Sequence, residues 1–158
     1  MAASKTPIHS LLHPLSHHQT QLHLGKGIHT LGLLRWVLCQ TGAARVLLTT
    51  FSTSEEFLCG FYRLRRDGLV TDATLVADVK AARKTVHLDR LVENCFERTF
   101  LIPNHSKVLL ISNDSWNITV LTSQNQTYGD RIEQTLVSTD ENLFRQSSRQ
   151  VKTILNLD

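Results

Sequence analysis

The stretch that decides the fold is "VLLTTFSTSEEFLCGFYRLRRDGLVTDATLVAD", residues 46–78. It begins with a run of leucine, valine and threonine that is typical of a buried strand, and it ends with a second such run, "DATLVAD". Between the runs, Ser54 is placed to cap a helix whose first turn holds Glu55 and Glu56, and Gly68 is placed to end it. A strand, a helix and a second strand in this order predict a crossover connection between two parallel strands.

The rest of the chain repeats this alternation. A helix is predicted in "GIHTLGLLRWVLCQTG", with Leu31, Leu34 and Val37 at helical spacing, and another in "TVHLDRLVENCFERT". Further strands are predicted in "FLIPN", "KVLLI", "NITVLTS" and "IEQTLVST", and "ENLFRQSSRQVKTIL" is predicted to form a closing helix. The order of elements predicts an α/β domain over residues 29–158, with a mainly parallel mixed sheet sandwiched by helices.

The first 28 residues differ in composition from the rest. They are rich in His, Ser, Gln and Pro and have no clear period, so we expect residues 1–28 to form a flexible or loosely docked histidine-rich arm. His9, His13 and His17 would share one face of a helix and could then bind a metal. Pro14 interrupts that run and no acidic or cysteine ligand accompanies it, so we predict neither a metal site nor a cofactor.

Composition narrows the class of protein. At 158 residues with 41% hydrophobic content, the chain can bury the core of one domain. Histidines and prolines interrupt the first residues, so we expect no secretory signal, and no apolar run reaches about 18 residues, so we predict no membrane span. Cys39, Cys59 and Cys95 are odd in number and far apart, which favours a reducing, cytoplasmic location over a disulfide framework. A net charge of +3 permits an anionic partner without requiring one.

Two loops carry residues suited to phosphate chemistry. "PNHSK", residues 103–107, leads into one predicted strand, and "LTSQNQTYGDRIEQ", residues 121–134, follows another. If these strands pair antiparallel through "SNDSW", His105 and Lys107 lie at the same sheet end as Ser123 and Asn125. Lysine supplies a point charge for phosphate oxygens, and serine and asparagine supply neutral donors. Histidine can attack phosphorus or transfer a proton. The carboxylate of Glu133 is close enough along the chain to orient a histidine ring.

At these residues the sequence resembles the phospholipase D superfamily. The signature of that family is His-x-Lys, four residues and Asp, then Gly-Ser-x-Asn, with a later glutamate. "HSK" supplies His105 and Lys107, "TSQN" supplies Ser123 and Asn125, and "RIEQ" supplies Glu133. Residues 46–78 also look like the first strand, helix and second strand of the family, so that the resemblance covers most of the chain.

The resemblance implies a metal-independent phosphodiesterase. His105 would attack phosphorus to give a phosphohistidine, Lys107, Ser123 and Asn125 would hold the phosphate oxygens, and Glu133 would orient His105. The family uses two copies of the signature and this chain has one, so the resemblance implies a homodimer in which the partner's His105 is the general acid. We expect Arg131 and Tyr128 to contact the substrate.

The sequence departs from the signature at two positions. Ser112 stands where the family has aspartate, and Thr122 stands where it usually has glycine. These departures leave alternatives open. We favour a phosphodiesterase acting on nucleic acid. The alternatives are a non-enzymatic member that binds nucleic acid or serves in assembly or regulation, and one half of a two-chain enzyme. His105 and Lys107 could also be a solvated strand start.

Overall fold

A computed structural model describes residues 6–127 and 129–157 of the chain. These residues contain a seven-stranded sheet. Its strands are β1 Thr20–Gly25, β2 Ala44–Thr50, β3 Val70–Asp78, β4 Arg98–Ile102, β5 Val108–Ser112, β6 Asn117–Thr122 and β7 Glu133–Ser138. The helices are α1 Thr30–Thr41, α2 Glu55–Arg66, α3 Val79–Ala82, α4 Asp89–Cys95 and α5 Glu141–Ile154, and 3-10 turns lie at Ile8–Ser10 and Arg83–Leu88.

The sheet has the strand order β1-β7-β6-β5-β2-β3-β4, and it is mixed. Strands β2, β3 and β4 run parallel, which confirms the crossover predicted from residues 46–78. The remaining neighbours pair antiparallel, so the parallel part is smaller than the sequence pattern predicted. For β5 and β6 the physical reason is that a short turn, and not a helix, joins them, and a short turn reverses the chain direction. The predicted α/β fold with a mixed sheet is confirmed.

Helix α2 follows directly from its sequence. The Ser54 hydroxyl accepts a hydrogen bond from the Phe57 amide at 3.2 Å, which satisfies one of the free donors of the first turn. Phe57 and Phe61 are buried against the sheet and stack on one another with ring centroids 5.9 Å apart. The helix ends before Gly68, whose φ of 76° is the left-handed conformation that glycine adopts without strain.

The main core lies on the sheet face that α1, α2 and α4 cover. Val46 and Leu48 of β2 are buried there, together with Leu109 and Ile111 of β5. Because side chains alternate along a strand, Thr49 points to the opposite face, where it lines a cavity beneath α5. The two faces of the sheet therefore differ: one packs in the main core, and the other lines the cavity beneath α5.

Residues 20–25, inside the segment for which the sequence indicates an arm, form edge strand β1 and pair with β7 from Thr20↔Ser138 to Gly25↔Glu133. The usual burial pattern is inverted in this strand. Leu22 and Leu24 are 66% and 72% exposed, whereas the polar residues Gln21 and His23 are half-buried. The alternation of Leu22 and Leu24 with polar residues is the pattern of a half-buried strand, but the apolar side chains are on the exposed face. None of the helices in the described residues combines the length and apolar character needed to cross a membrane.

Candidate active site

One end of the sheet gathers the predicted site residues. The parallel strands β2, β3 and β4 all finish at this end, and β6, which is antiparallel to β5, finishes there as well. β5 begins there, so the loop that carries His105 and the loop that follows β6 lie side by side. The antiparallel pairing of β5 and β6, which the sequence-based placement assumed, is observed with Val108 opposite Leu121. Open α/β sheets place their sites at this kind of edge.

The loop that carries His105 is fixed by Asp78 at the end of β3. One carboxylate oxygen, Oδ1, accepts from the amides of Lys80 and Ala81, both at 2.9 Å. The other, Oδ2, accepts from the Asn104 amide at 3.0 Å. The Asn104 side chain in turn donates to the Thr50 carbonyl at 2.9 Å. These bonds tie the residue next to His105 to the ends of β2 and β3.

The hydrogen bonds to Asp78 favour its ionised form. The Ala81 amide is the largest cause, followed by the Asn104 amide, and together they hold the pKa of the Asp78 carboxyl below its ordinary value, against the opposing effect of burial. Sequence reasoning missed Asp78. The available signal was an aspartate at the carboxyl end of a buried strand, directly before a helix start.

We predict that Asp78→Asn displaces the loop and lowers kcat/KM for diester hydrolysis by roughly 10–100-fold, because small misplacements of reacting groups cost that much. An amide keeps one acceptor oxygen, and its NH2 group then faces one of the amide donors that Asp78 binds. The variant should also melt at a lower temperature than the wild type at pH 7. Asp67→Asn is the matched control, since Asp67 is exposed and pairs with Arg66 on the surface.

The same prediction has a pH dependence. The folded-state pKa of Asp78 is lowered, so its contribution to stability is complete above the unfolded-state pKa of about 3.9 and is lost as pH falls through the folded value. The difference in melting temperature between wild type and Asp78→Asn should be constant from about pH 7 to pH 5 and shrink below about pH 4. A constant difference down to about pH 2 would contradict the role given to the carboxylate.

His105 and Lys107 form a close pair. The Lys107 ammonium lies 3.2 Å from Nδ1 of His105 and donates to the His105 carbonyl at 2.9 Å. An ammonium has only donors, so Nδ1 is the acceptor in this contact. A ring nitrogen attacks phosphorus through a free lone pair, so attack by Nδ1 requires that the ammonium turn from Nδ1 to the phosphate. The Phe51 ring packs against the His105 ring with centroids 5.2 Å apart.

The surroundings of the pair are suited to an anion. His105 is exposed, while Lys107 is only 9% exposed. Among the described residues, no carboxylate lies within ion-pair distance of Lys107. Burying an ammonium without a counter-charge is costly, and an anion bound beside His105 would offset that cost.

Ser123 and Glu133 form a second pair at the same end. The Thr122 amide donates to the Lys107 carbonyl at 3.1 Å, which places Ser123 immediately past Lys107. The Glu133 carboxylate accepts the Ser123 hydroxyl proton, and the Ser123 oxygen accepts from the Gln134 amide at 3.0 Å. The structure therefore gives Glu133 a contact with Ser123, where the resemblance implied a contact with His105.

Asn125 lies where α1 and α2 begin. Its carbonyl is 3.5 Å from the Thr30 hydroxyl, and it lines a cavity of about 40 Å³ together with His29 and Ser54. Its Oδ1 atom is buried and has no hydrogen-bond partner in the described part of the chain. The adjacent Gln124, which the sequence gave no reason to single out, contacts Nδ1 of His29 at 3.1 Å.

Of the two residues expected to contact substrate, the structure describes Arg131. Arg131 is exposed, so its guanidinium can reach a bound polyanion. Tyr128 lies outside the described residues. Among the residues that are described, no three His, Cys, Asp or Glu side chains come together in a group that could hold a metal ion.

Ser112 and Thr122, the two departures from the signature, lie at different ends of the sheet. β5 runs from Val108 away from the site, so Ser112 lies at the far end of the sheet, about 17 Å from Lys107 at 3.3 Å per residue. Thr122 is near the site, but its hydroxyl is occupied by the Gln134 carbonyl at 3.0 Å and the Gln124 amide at 3.1 Å. Neither residue removes a candidate phosphate ligand.

Solved structures show the same fold. NucT from Helicobacter pylori superimposes with a TM-score of 0.62 at 13% identity, over 87% of this chain and 96% of that one. A polyphosphate kinase from Porphyromonas gingivalis gives a TM-score of 0.66 at 13% identity, over 89% of this chain and 24% of that one. These similar structures have phospholipase D-superfamily folds. This chain has the phospholipase D-like fold. The resemblance drawn from "HSK", "TSQN" and "RIEQ" is thus confirmed at the level of the fold.

Two further solved structures superimpose on this chain over only part of their own length. Phosphatidylserine synthase from Haemophilus influenzae gives a TM-score of 0.53 at 13% identity, over 88% of this chain and 38% of that one. The archaeal chromatin protein TrmBL2, described as having a novel mode of DNA binding, gives a TM-score of 0.57 at 10% identity, over 87% of this chain and 52% of that one. No protein-family model matches the chain, and no curated protein sequence does.

Proposed function

We propose that the protein is a metal-independent phosphodiesterase that acts on nucleic acid through a phosphohistidine at His105. The observation that carries the proposal is the buried ammonium of Lys107, without a carboxylate partner in the described residues, 3.2 Å from Nδ1 of an exposed histidine. This pair combines a nucleophile with a positive charge for the phosphate that it attacks. The fold is shared with NucT, a nuclease of the phospholipase D family, and with TrmBL2, which binds DNA, and these likenesses support a nucleic-acid substrate.

Each residue has a role in the proposed reaction. The His105 ring attacks phosphorus, and the P–O bond to the leaving oxygen breaks, so the phosphoryl group is bonded to the ring and the leaving oxygen departs with a proton. Water then attacks phosphorus and the P–N bond breaks, which frees the ring. Lys107 holds a non-bridging oxygen. The Ser123 hydroxyl donates a hydrogen bond to Glu133 in this structure, and it holds a second oxygen when the bound phosphate replaces Glu133 as its acceptor. Asn125 is the further donor, provided that substrate draws its amide out of the small cavity beside α1. Arg131 and Tyr128 contact the chain beyond the scissile phosphate.

The leaving oxygen must be protonated, and the described residues place no second His-x-Lys pair beside His105. We propose that a second copy of the chain supplies this proton from its own His105, so the active form is a two-fold dimer. Light scattering should then give about twice the 17.9 kDa of one chain. A stable monomer would favour a partner of different sequence.

We assign the protein to the cytoplasm, because a reducing compartment suits its three free cysteines, Cys39, Cys59 and Cys95.

The direct test is hydrolysis of a fluorogenic oligonucleotide with and without EDTA. We expect cleavage at a rate that EDTA leaves unchanged within about twofold, because no step in this mechanism uses a metal ion. Strong inhibition by EDTA would contradict the mechanism. Retention of the oligonucleotide without cleavage would support the second candidate, a binding or assembly protein, which the sequestered Asn125 side chain favours.

A further inference from the structure

A cavity of about 280 Å³ opens beside His105 on the sheet face that α4 covers. Its walls come from the ends of β2 and β3, from α3 and from α4. Phe51 belongs both to this cavity and to the site, since its ring contacts the His105 ring at 5.2 Å. A group that enters the cavity therefore lies one aromatic ring away from the proposed nucleophile. The volume is near the lower end of ordinary ligand pockets, about 300–1,000 Å³.

A second cavity, of about 350 Å³, lies beneath α5 and is the less suitable of the two. Ser106 lines it, and Ser106 alternates with His105 and Lys107 along an extended segment. That cavity is therefore on the sheet face opposite to the one that His105 and Lys107 share. The cavity beside Phe51 is the one that a substrate attached to the scissile phosphate can reach.

The lining of the cavity beside Phe51 excludes phosphate. It contains no lysine, arginine or histidine, and two exposed carboxylates, Asp89 and Glu93, stand in its wall. They would repel a phosphate, which the Lys107 ammonium attracts. The cavity therefore suits an uncharged part of the substrate that can donate hydrogen bonds to carboxylates.

The interior of the cavity is suited to a flat ring. Ala77, Ala81 and Ala82 leave the space open, and Phe51 provides an aromatic wall. The hydroxyl oxygen of Thr53 is buried and has no hydrogen-bond partner in the described residues. A buried hydroxyl without a partner carries a desolvation cost that a ligand can remove.

We propose that this cavity, which we call the Phe51 pocket, binds a nucleobase next to the scissile phosphate. The inference rests on the proposed function. The base packs on Phe51, its ring nitrogens reach the Thr53 hydroxyl, and its exocyclic amino group donates to Asp89 or Glu93. Adenine, cytosine and guanine carry such an amino group and thymine does not, so the pocket prefers the first three.

The test is calorimetric binding of deoxyadenosine 5′-monophosphate, thymidine 5′-monophosphate and deoxyribose 5-phosphate to the wild-type protein. These are monoesters, so the measurement does not depend on diesterase activity. We expect the adenine nucleotide to bind about tenfold more tightly than the base-free sugar phosphate, the scale of one well-filled apolar pocket, with thymidine nucleotide between them. Ala82→Leu fills the pocket and should reduce the adenine nucleotide to the affinity of the sugar phosphate.

Asn94→Leu is the matched control, because Asn94 is an exposed residue of α4 outside the pocket lining. It should leave all three affinities unchanged. Thr53→Val keeps the side-chain shape and removes the hydroxyl; it should weaken adenine nucleotide binding several-fold, even if Ala82→Leu fails to fold. Equal affinity for nucleotide and sugar phosphate would overturn the proposal, as would unchanged binding in both pocket variants. Displacement of the nucleotide by phosphocholine would also overturn it and indicate a lipid head group.

This experiment separates the two proposals. Base-dependent binding without any diester hydrolysis would support the Phe51 pocket and contradict the proposed function. Metal-independent hydrolysis without base-dependent binding would do the reverse.

Discussion

Replacement of His105 by alanine is expected to lower kcat/KM for oligonucleotide hydrolysis by at least ~10⁴-fold, the scale seen when a covalent nucleophile is removed. Alanine offers no nitrogen to attack phosphorus, and in a dimer it removes the proposed acid as well. The readout is cleavage of the fluorogenic oligonucleotide in EDTA. The same variant should still bind the oligonucleotide, because Lys107 keeps its positive charge.

The control for this variant is His87→Ala. His87 is an exposed histidine on the 3-10 turn between α3 and α4, so its replacement should leave both kcat and KM within about twofold of the wild type. Circular dichroism of both variants should match the wild type, since both side chains are exposed. Activity in His105→Ala above about 1% of wild type would mean that another residue attacks phosphorus.

Much of the fold could be predicted because local and tertiary preferences agree in residues 46–78. Ser54 caps α2 through its hydroxyl, as its position in the sequence predicts, and Phe57 and Phe61, four residues apart, are buried. Strand β1 could not be predicted because its burial comes from pairing with β7 and runs against its apolar pattern. Its leucines, Leu22 and Leu24, point outward.

The candidate site was partly accessible from the sequence. The spacing of His105 and Lys107 places both on one side of an extended segment, and the observed contact between them agrees with that placement. The pairing of the Glu133 carboxylate with Ser123 could not be predicted. Glu133 begins β7 and meets Ser123 across the β6–β7 connection, and the geometry of that connection depends on the whole sheet.

The residues that hold the loop of His105 in place could not be predicted from the sequence either. Asp78 and Asn104 are 26 residues apart in the chain, and their contact arises because β3 and β4 end side by side. Phe51 was hidden for the same reason, since its contact with His105 crosses from the end of β2 to the loop before β5. Contacts between strand ends follow from sheet order, which local sequence patterns do not contain.

The second large effect expected is a stoichiometric covalent intermediate. A p-nitrophenyl ester of deoxyadenosine 5′-monophosphate has a leaving group that departs without protonation, so attack by His105 should be fast and the second step slow. When His105 bonds to phosphorus, p-nitrophenolate carries away the electron pair of the broken P–O bond. A burst of p-nitrophenolate equal to about one equivalent per active site should precede the steady rate.

Trapping that intermediate tests the central claim most directly. The reaction is quenched in alkali, in which a phosphorus–nitrogen bond to histidine survives, and the digested protein is analysed by mass spectrometry. We expect a nucleotidyl adduct on His105 in the wild type and none in His105→Ala. An adduct on a different residue, or steady hydrolysis in EDTA with neither burst nor adduct, would contradict the account of His105 as the nucleophile.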